Sequence, residues 1–144
     1  MHAKAFATGV RIEHPQSMVN LSQYGKESVE GLGAAAYKLT ANLPSGRGVY
    51  TFCMCPGGYV VNASSEERRI AVNGMSYHAR DGKNANSAVV VTVDPADFGS
   101  DSPLAGMEFQ RRLEEAAFKA GRGKIPVQLY EDFCKTSPPP DREQ

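Results

Sequence analysis

The sequence predicts an α+β fold: a mostly antiparallel sheet of five or six strands, with one long helix and one or two short helices. Short runs of β-branched and aromatic residues recur between turn signals over the first two thirds of the chain. One long segment with apolar residues at helical spacing, about residues 103–120, follows them. Strands and helices therefore do not alternate as in a nucleotide-binding fold, and the helices group at the two ends of the chain.

The predicted strands have clear boundaries. The segment AFATGVRI (5–12) ends at Glu13-His14-Pro15 because proline cannot continue a ladder, and Pro15 suits the first position of a short helix that stops before Gly25. The segment SAVVVTV (87–93) is so uniformly apolar that we expect it at the centre of the sheet. The other predicted strands are residues 37–43, 49–55, 59–63 and 70–75.

The long helix is the best-specified element. Ser102 is its expected cap, Pro103 its first turn, and Gly121 its end. Two pairs of opposite charges at a spacing of four, Glu108 with Arg112 and Arg111 with Glu115, would support its exposed faces. A short final helix is predicted within residues 126–134.

Length and charge limit the class of protein. The 144 residues suit one domain, residues 1–135, followed by a disordered tail at 136–144. Sixteen basic and sixteen acidic residues cancel, so no net field attracts nucleic acid or an anionic membrane. No apolar run approaches the roughly 20 residues that span a membrane, and no signal-peptide core is visible, so we expect a cytoplasmic protein.

Cys53 and Cys55 stand one residue apart in the predicted strand 49–55. Because side chains alternate along a strand, both would point to the same face. Such a pair can bind a soft metal or react as thiols, but no neighbouring cation or helix N-terminus activates them, and the three histidines are too scattered to complete a zinc site. Burial as two small apolar residues is the simpler interpretation.

The next residues, Pro56-Gly57-Gly58, separate two predicted strands and so predict an antiparallel hairpin. Two interpretations of the glycines stay open. They form a plain turn, in which Gly57 or Gly58 takes a positive φ, or they let the backbone approach a ligand because no Cβ intervenes.

The predicted loop at residues 77–86 combines a phenol, an imidazole, a guanidinium, a carboxylate and amides. Such a set can orient a small polar substrate, although most polar loops are merely solvated. Tyr77, Arg80 and Asn84 are its candidate binding residues.

Four segments together carry a family resemblance. They are FATGVRIEHPQ (6–16), GVYTFCMCPGGYVVNASSE (48–66), NGMSYHARDGKNANSA (73–88) and PLAGMEFQRRLEEAAF (103–118). In this order they resemble the uncharacterised bacterial FAD-dependent dehydrogenases, also described as NAD(FAD)-utilising dehydrogenases. Members of that family are several times longer, with a FAD-binding Rossmann unit before this segment and a final flavin-binding piece after it.

The resemblance implies that the chain is the inserted substrate or cap domain of such a flavoprotein, packed over the isoalloxazine ring. It implies FAD as cofactor of the full-length protein, with NAD(P) as a further candidate. Both flavin-binding portions are missing here, so we expect this chain alone to bind no FAD and to be inactive. The implied partners are the flanking FAD-binding domain, an unidentified small-molecule substrate, and a second copy of the excised domain.

The residues expected to face the substrate or flavin are Cys53, Cys55, Gly57, Gly58, Tyr77, Arg80 and Asn84. The family supplies no known catalytic residue to carry over. Two alternatives stay open: an interaction module without chemistry, and a small thiol or metal protein that uses Cys53 and Cys55.

Overall fold

A computed structural model describes residues 3–136 of the chain. It confirms the α+β fold, with six strands in two antiparallel sheets and four helices in that part of the chain. The strands are β1 (Phe6–Pro15), β2 (Thr40–Asn42), β3 (Gly48–Cys55), β4 (Gly58–Asn62), β5 (Val72–Ser76) and β6 (Asn84–Val93), and the helices are α1 (Gln16–Tyr24), α2 (Pro95–Phe98), α3 (Ala105–Ala120) and α4 (Tyr130–Thr136). The predicted disordered tail lies outside the described residues, except for Thr136 at the end of α4.

The main sheet has the strand order β1-β6-β3-β2. The central place predicted for SAVVVTV is confirmed, because β6 pairs with β1 on one side and β3 on the other. β1 runs three residues further than predicted, to Pro15 opposite Asn84. This is possible because β1 is an edge strand, where a proline costs no ladder hydrogen bond. α1 then ends at Gly25, which is left-handed at φ 72°.

The predicted hairpin of residues 49–55 with 59–63 is wrong. β4 pairs with β5 instead, from Gly58–Ser76 to Asn62–Val72, in a separate two-stranded sheet that we call the ribbon. β6 pairs along one edge of β3 as far as Cys55, and β2 covers Gly48–Tyr50 on the other edge. The Gly57 carbonyl accepts hydrogen bonds from the N–H groups of Tyr77 (3.4 Å) and Gly82 (3.2 Å), which hold the chain beside the 77–83 loop.

The hydrophobic core consists of two small clusters at opposite ends of β6. At one end Ala85 packs with Val19 of α1 and with Ala35. At the other end Val93 packs with Phe98 and Ala105, and the Phe6 and Phe98 rings stack at 5.3 Å. Between the two clusters Val90 of β6 is also buried, and beside Ala85 the polar residues Asn86 and Ser87 are completely buried.

The long helix α3 is confirmed, with two corrections. It begins at Ala105 rather than 103, because the Ser102 carbonyl accepts the Ala105 N–H in a turn before the helix. Arg111 and Glu115 bind outside the helix rather than each other: Arg111 pairs with Glu66 (3.2 Å) and Glu115 with Arg69 (2.8 Å). The 66–69 segment, which connects the two strands of the ribbon, supplies these competing charges.

A short final helix is also confirmed, shifted to Tyr130–Thr136. The four-residue helix α2 was not predicted, although Asp94 and Asp97 form a capping box around it. In the part of the chain that the structure describes, no helix is long and apolar enough to cross a membrane.

Candidate functional site

A β-bulge places Cys53 at the surface. Phe52 pairs with Ala88 and Cys55 with Asn86, so three steps along β3 face two along β6. Cys53 is the bulged residue, and its backbone is left-handed at φ 46°. It is exposed, whereas Cys55 is half-buried. The interpretation of both cysteines as buried residues is therefore wrong for Cys53, because the bulge breaks the alternation on which it depended.

Arg11 joins this bulge to the ribbon. Its Nη1 donates to the Cys53 carbonyl at 3.2 Å and to Asn86 Oδ1, and its Nη2 donates to Asn73 Oδ1 at 3.4 Å. The Cys55 thiol lies 3.9 Å from the same Nη1. We call these five residues the Arg11 cluster. One guanidinium thus binds groups from β3, β5 and β6 while standing on β1.

The Arg11 cluster is rich in hydrogen-bond donors. Among residues 3–136, no carboxylate lies within the 4.0 Å of an ion pair with Arg11, so its charge is balanced only by neutral acceptors. Asn86 is completely buried and its Nδ2 has no partner in the described structure. A Cβ at Gly74 would lie 2.1 Å from both Arg11 Nη1 and Asn86 Oδ1, so only glycine lets the ribbon close over this pair.

The two glycines of the Pro-Gly-Gly turn are buried. Gly57 has φ 54°, which confirms the turn interpretation. A Cβ at Gly57 would lie 2.0 Å from the Arg80 carbonyl oxygen, and one at Gly58 would lie 1.8 Å from the Met75 carbonyl oxygen. The close backbone approach is therefore made by the protein's own chain. That these glycines also face a substrate or flavin stays a prediction.

The three candidates from the polar loop have different surroundings. Tyr77 and Arg80 are exposed and belong to one turn, in which the Arg80 N–H donates to the Tyr77 carbonyl at 2.9 Å. Asn84 is the first residue of β6, and its Nδ2 donates to Glu13 Oε1 at 2.7 Å. Glu13 Oε2 accepts the Val60 N–H at 3.0 Å. Asn84 thus helps to hold the ribbon against the main sheet.

Three exposed apolar side chains lie on one face of the ribbon. Tyr59 and Met75 are register partners, and Tyr77 follows Met75 by two residues, so the period of a strand places all three on the same side. They are 41%, 52% and 52% exposed, and the rings of Tyr59 and Tyr77 are 5.2 Å apart. We call them the tyrosine patch. Sequence reasoning missed Tyr59 and Met75 because it paired β4 with the wrong strand.

A second polar pair was also missed by sequence reasoning. The Tyr37 hydroxyl lies 2.7 Å from His14 Nε2, beside the buried Ser87. Burial raises the pKa of Tyr37, an effect that a hydrogen bond with Ser87 and the charge of Arg11 partly oppose. The phenol is therefore held neutral, and it connects β1 to the segment before β2.

Two shallow grooves are present among residues 3–136, and neither is lined by a predicted site residue. One shallow groove of about 340 Å³ is lined by residues such as Phe6, Phe98 and Met107, and another of about 380 Å³ lies between residues 67–69 and the end of α3. Neither groove contains a residue predicted from the sequence. Over residues 3–136 no three His, Cys, Asp or Glu side chains group closely enough to hold a metal ion. Cys53, Tyr77, Arg80 and Asn84 are exposed and line neither groove.

Fold and site together define a small α+β domain in which Cys53, Tyr77, Arg80 and Asn84 are exposed, while Gly57 and Gly58 are buried. A family described as FAD-dependent protein, C-terminal domain-like, matches residues 5–144, and the chain belongs to it. An uncharacterised protein of Clostridium beijerinckii is 62% identical over 139 residues, which cover 94% of this chain. The chain spans 26% of the length of that relative. The resemblance to FAD-dependent proteins is thus confirmed at the level of the family.

Proposed function

We propose that this chain is the substrate-binding or cap domain of a larger FAD-dependent oxidoreductase, where it covers the flavin site and is inactive alone. Membership of a FAD-dependent family supports the cofactor of the parent protein. The 26% share of the relative supports a partner within the same polypeptide. On this proposal residues 1–135 form one domain of that parent.

The observation that carries the proposal is the amount of apolar surface left open. The chain has an accessible surface of 10774 Å², against about 7,200 Å² expected for a compact monomer of this size. A fully extended stretch of ten residues exposes only about 1,600 Å². A short extended segment therefore cannot account for the difference. Among the described residues, eighteen large apolar side chains are exposed and eight apolar residues are buried. A surface of this kind is typical of an interface.

The residues of this chain do not fit FAD as a ligand of their own. FAD sites of the Rossmann type need a glycine-rich turn from a strand into a helix, whose N–H groups bind the pyrophosphate. Here β1 enters α1 through Pro15-Gln16, and β6 enters α2 through Asp94-Pro95. Neither connection carries such a turn. In the parent, FAD would supply the redox chemistry.

The part of this chain that we assign to the flavin or substrate is the ribbon with the adjacent bulge. The tyrosine patch offers apolar and aromatic surface suited to a flat ring or an apolar substrate. Tyr77 and Arg80 add a phenol and a guanidinium beside it, and Cys53 is exposed at the bulge. These groups would orient the substrate and exclude water. Gly57 and Gly58 would act indirectly, by holding the ribbon in place.

The test uses the full-length parent and a double substitution in the tyrosine patch, Tyr59→Ser with Tyr77→Ser. We expect the variant to keep its bound FAD, measured by absorbance at 450 nm, and to lose at least tenfold in the rate of flavin reduction by its substrate or by NADH. The matched control is Tyr24→Ser, a tyrosine that is exposed at the end of α1. Unchanged reduction by the patch variant would contradict the assignment.

A flavin titration of the 144-residue chain provides the second arm. We expect no change in FAD fluorescence, since the chain has no flavin-binding turn. Stoichiometric binding would overturn the cap-domain proposal.

An interaction module without chemistry is the second candidate, because the same exposed surface favours it. It predicts that the parent reduces its flavin normally when the tyrosine patch is changed, yet fails to assemble. Sedimentation of the parent variant separates the two candidates.

A further inference from the structure

We infer that the last described segment, residues 125–136, docks its apolar side into a groove on the rest of the parent polypeptide. We call it the C-terminal segment. This inference rests on the proposed function and names the contact that joins the domain to its parent. Three of its side chains are among the most exposed apolar groups described: Val127 at 89%, Leu129 at 69% and Tyr130 at 65%.

α4 is amphipathic, but its apolar side faces solvent. At 100° per residue, Leu129, Tyr130, Phe133 and Cys134 fall within about 140° of the helix circumference. The charged residues Glu131, Asp132 and Lys135 occupy the opposite side, where Lys135 pairs with Asp132 at 3.4 Å. Phe133 already makes a contact within the chain, so the open part of the apolar side is formed by Leu129 and Tyr130.

A helix this short needs support from packing. Isolated helices of fewer than about 12–15 residues are marginal in water, and α4 has seven. The Leu129 carbonyl accepts the N–H groups of Asp132 (3.1 Å) and Phe133 (2.9 Å), so Leu129 stands at the start of the helix and projects from its first turn. An apolar side that is laid into a groove is a common way in which short helices bind.

The occupant to which we commit is the remaining part of the parent protein. The relative that matches 94% of this chain has about three quarters of its own length outside the match. The match therefore leaves a large body of protein in the same polypeptide to supply the groove. A docked helix within one chain also avoids the entropy cost that a separate partner would have to meet.

The test compares two double substitutions on opposite sides of α4. L129E/Y130E changes the apolar side and E131A/K135A, the matched control, changes the charged side. Both are made in the 144-residue chain and at the corresponding positions of the full-length parent. In the isolated chain we expect the Tm of each variant to stay within about 2 °C of the unsubstituted chain, because these side chains are exposed.

In the parent we expect L129E/Y130E to raise the rate of proteinase K cleavage between the domain and the flavin-binding part at least tenfold, with E131A/K135A unchanged. Equal cleavage of both variants would overturn the inference. So would a large drop in the Tm of the isolated L129E/Y130E chain, which would show that the segment packs on its own domain. Loss of a homodimer with unchanged cleavage of the parent would assign the surface to a second copy.

The FAD content of the parent keeps the two proposals separable. A parent without flavin refutes the proposed function whatever the protease shows. A parent with full flavin and no change in cleavage refutes only the docking of the C-terminal segment.

Discussion

The Arg11 cluster and the C-terminal segment differ in where their side chains find contacts: the first makes them inside the chain, and the second leaves its apolar side chains exposed. Arg11 makes its hydrogen bonds inside the chain, to the Cys53 carbonyl and to Asn86 and Asn73. Leu129 and Tyr130 leave most of their apolar surface outside. An independent domain of this size would bury apolar groups first and solvate its charges. The contrast supports the proposal that this domain fixes its internal geometry with polar contacts and packs its exposed apolar side chains against the rest of a larger protein.

The largest loss of stability is expected from Gly57→Ala, which disturbs the contacts inside the domain. The new Cβ would meet the Arg80 backbone at 2.0 Å, and the residue would also be held at φ 54°. We expect a loss of about 3 kcal/mol or more in the free energy of unfolding, measured with urea. The matched control is Gly46→Ala, which has φ 82° but nothing within 4 Å, and should cost about 1 kcal/mol. Equal losses would show that the contact with Arg80 is unimportant.

A smaller effect is expected from Arg11→Met. It keeps the length of the side chain and removes every donor, which leaves Asn86 Oδ1 and the Cys53 carbonyl without their partner. We expect about 2 kcal/mol of destabilisation in thermal or urea unfolding. Arg11→Lys should recover only part of it, because an ammonium cannot reproduce the forked geometry. Arg80→Met, at an exposed arginine, should cost less than about 0.5 kcal/mol. A loss as small as that control would mean that the cluster adds nothing to stability.

The smallest effect has the opposite sign. Cys53→Gly should stabilise the isolated domain by about 0.5 kcal/mol, because glycine adopts φ 46° without strain, although it costs more backbone entropy. Cys53→Ala keeps the strained backbone and removes the thiol, so its stability should match that of the unsubstituted chain. If alanine stabilises as much as glycine, the bulge is not strained. A fall in parent activity with C53A alone would assign the thiol a role in the reaction.

The sequence predicted those parts of the fold that local pattern determines. The apolar run at 87–93 and the spacing of α3 identified the central strand and the long helix because each signal is contained within its own segment. The Pro56-Gly57 turn was also predicted, but its consequence was not. Whether β4 returns along β3 depends on β6, which occupies that edge from far along the chain. Nothing in the sequence around β4 indicates that this edge of β3 is paired with β6.

The site was less predictable than the fold for the same reason. Tyr77 and Cys53 were named from composition and spacing, and both are exposed as a surface role requires. Arg11, Asn73 and Asn86 come together only through tertiary pairing, so no motif marks them. The bulge at Cys53 is likewise a product of the register between β3 and β6. The sequence near the bulge shows only two cysteines and Pro-Gly-Gly at the end of a strand.

The central position of β6 also determines when this domain can form. β6 pairs with β1 along its whole length, and contacts such as Arg11 with Asn86 join residues 75 positions apart. Such distant contacts must close a long loop before they contribute, which slows folding. During synthesis the ribbon strands emerge before β6, whereas the main sheet cannot close until residue 93 has left the ribosome. Until then β1 and β3 have exposed edges, which can pair with other chains.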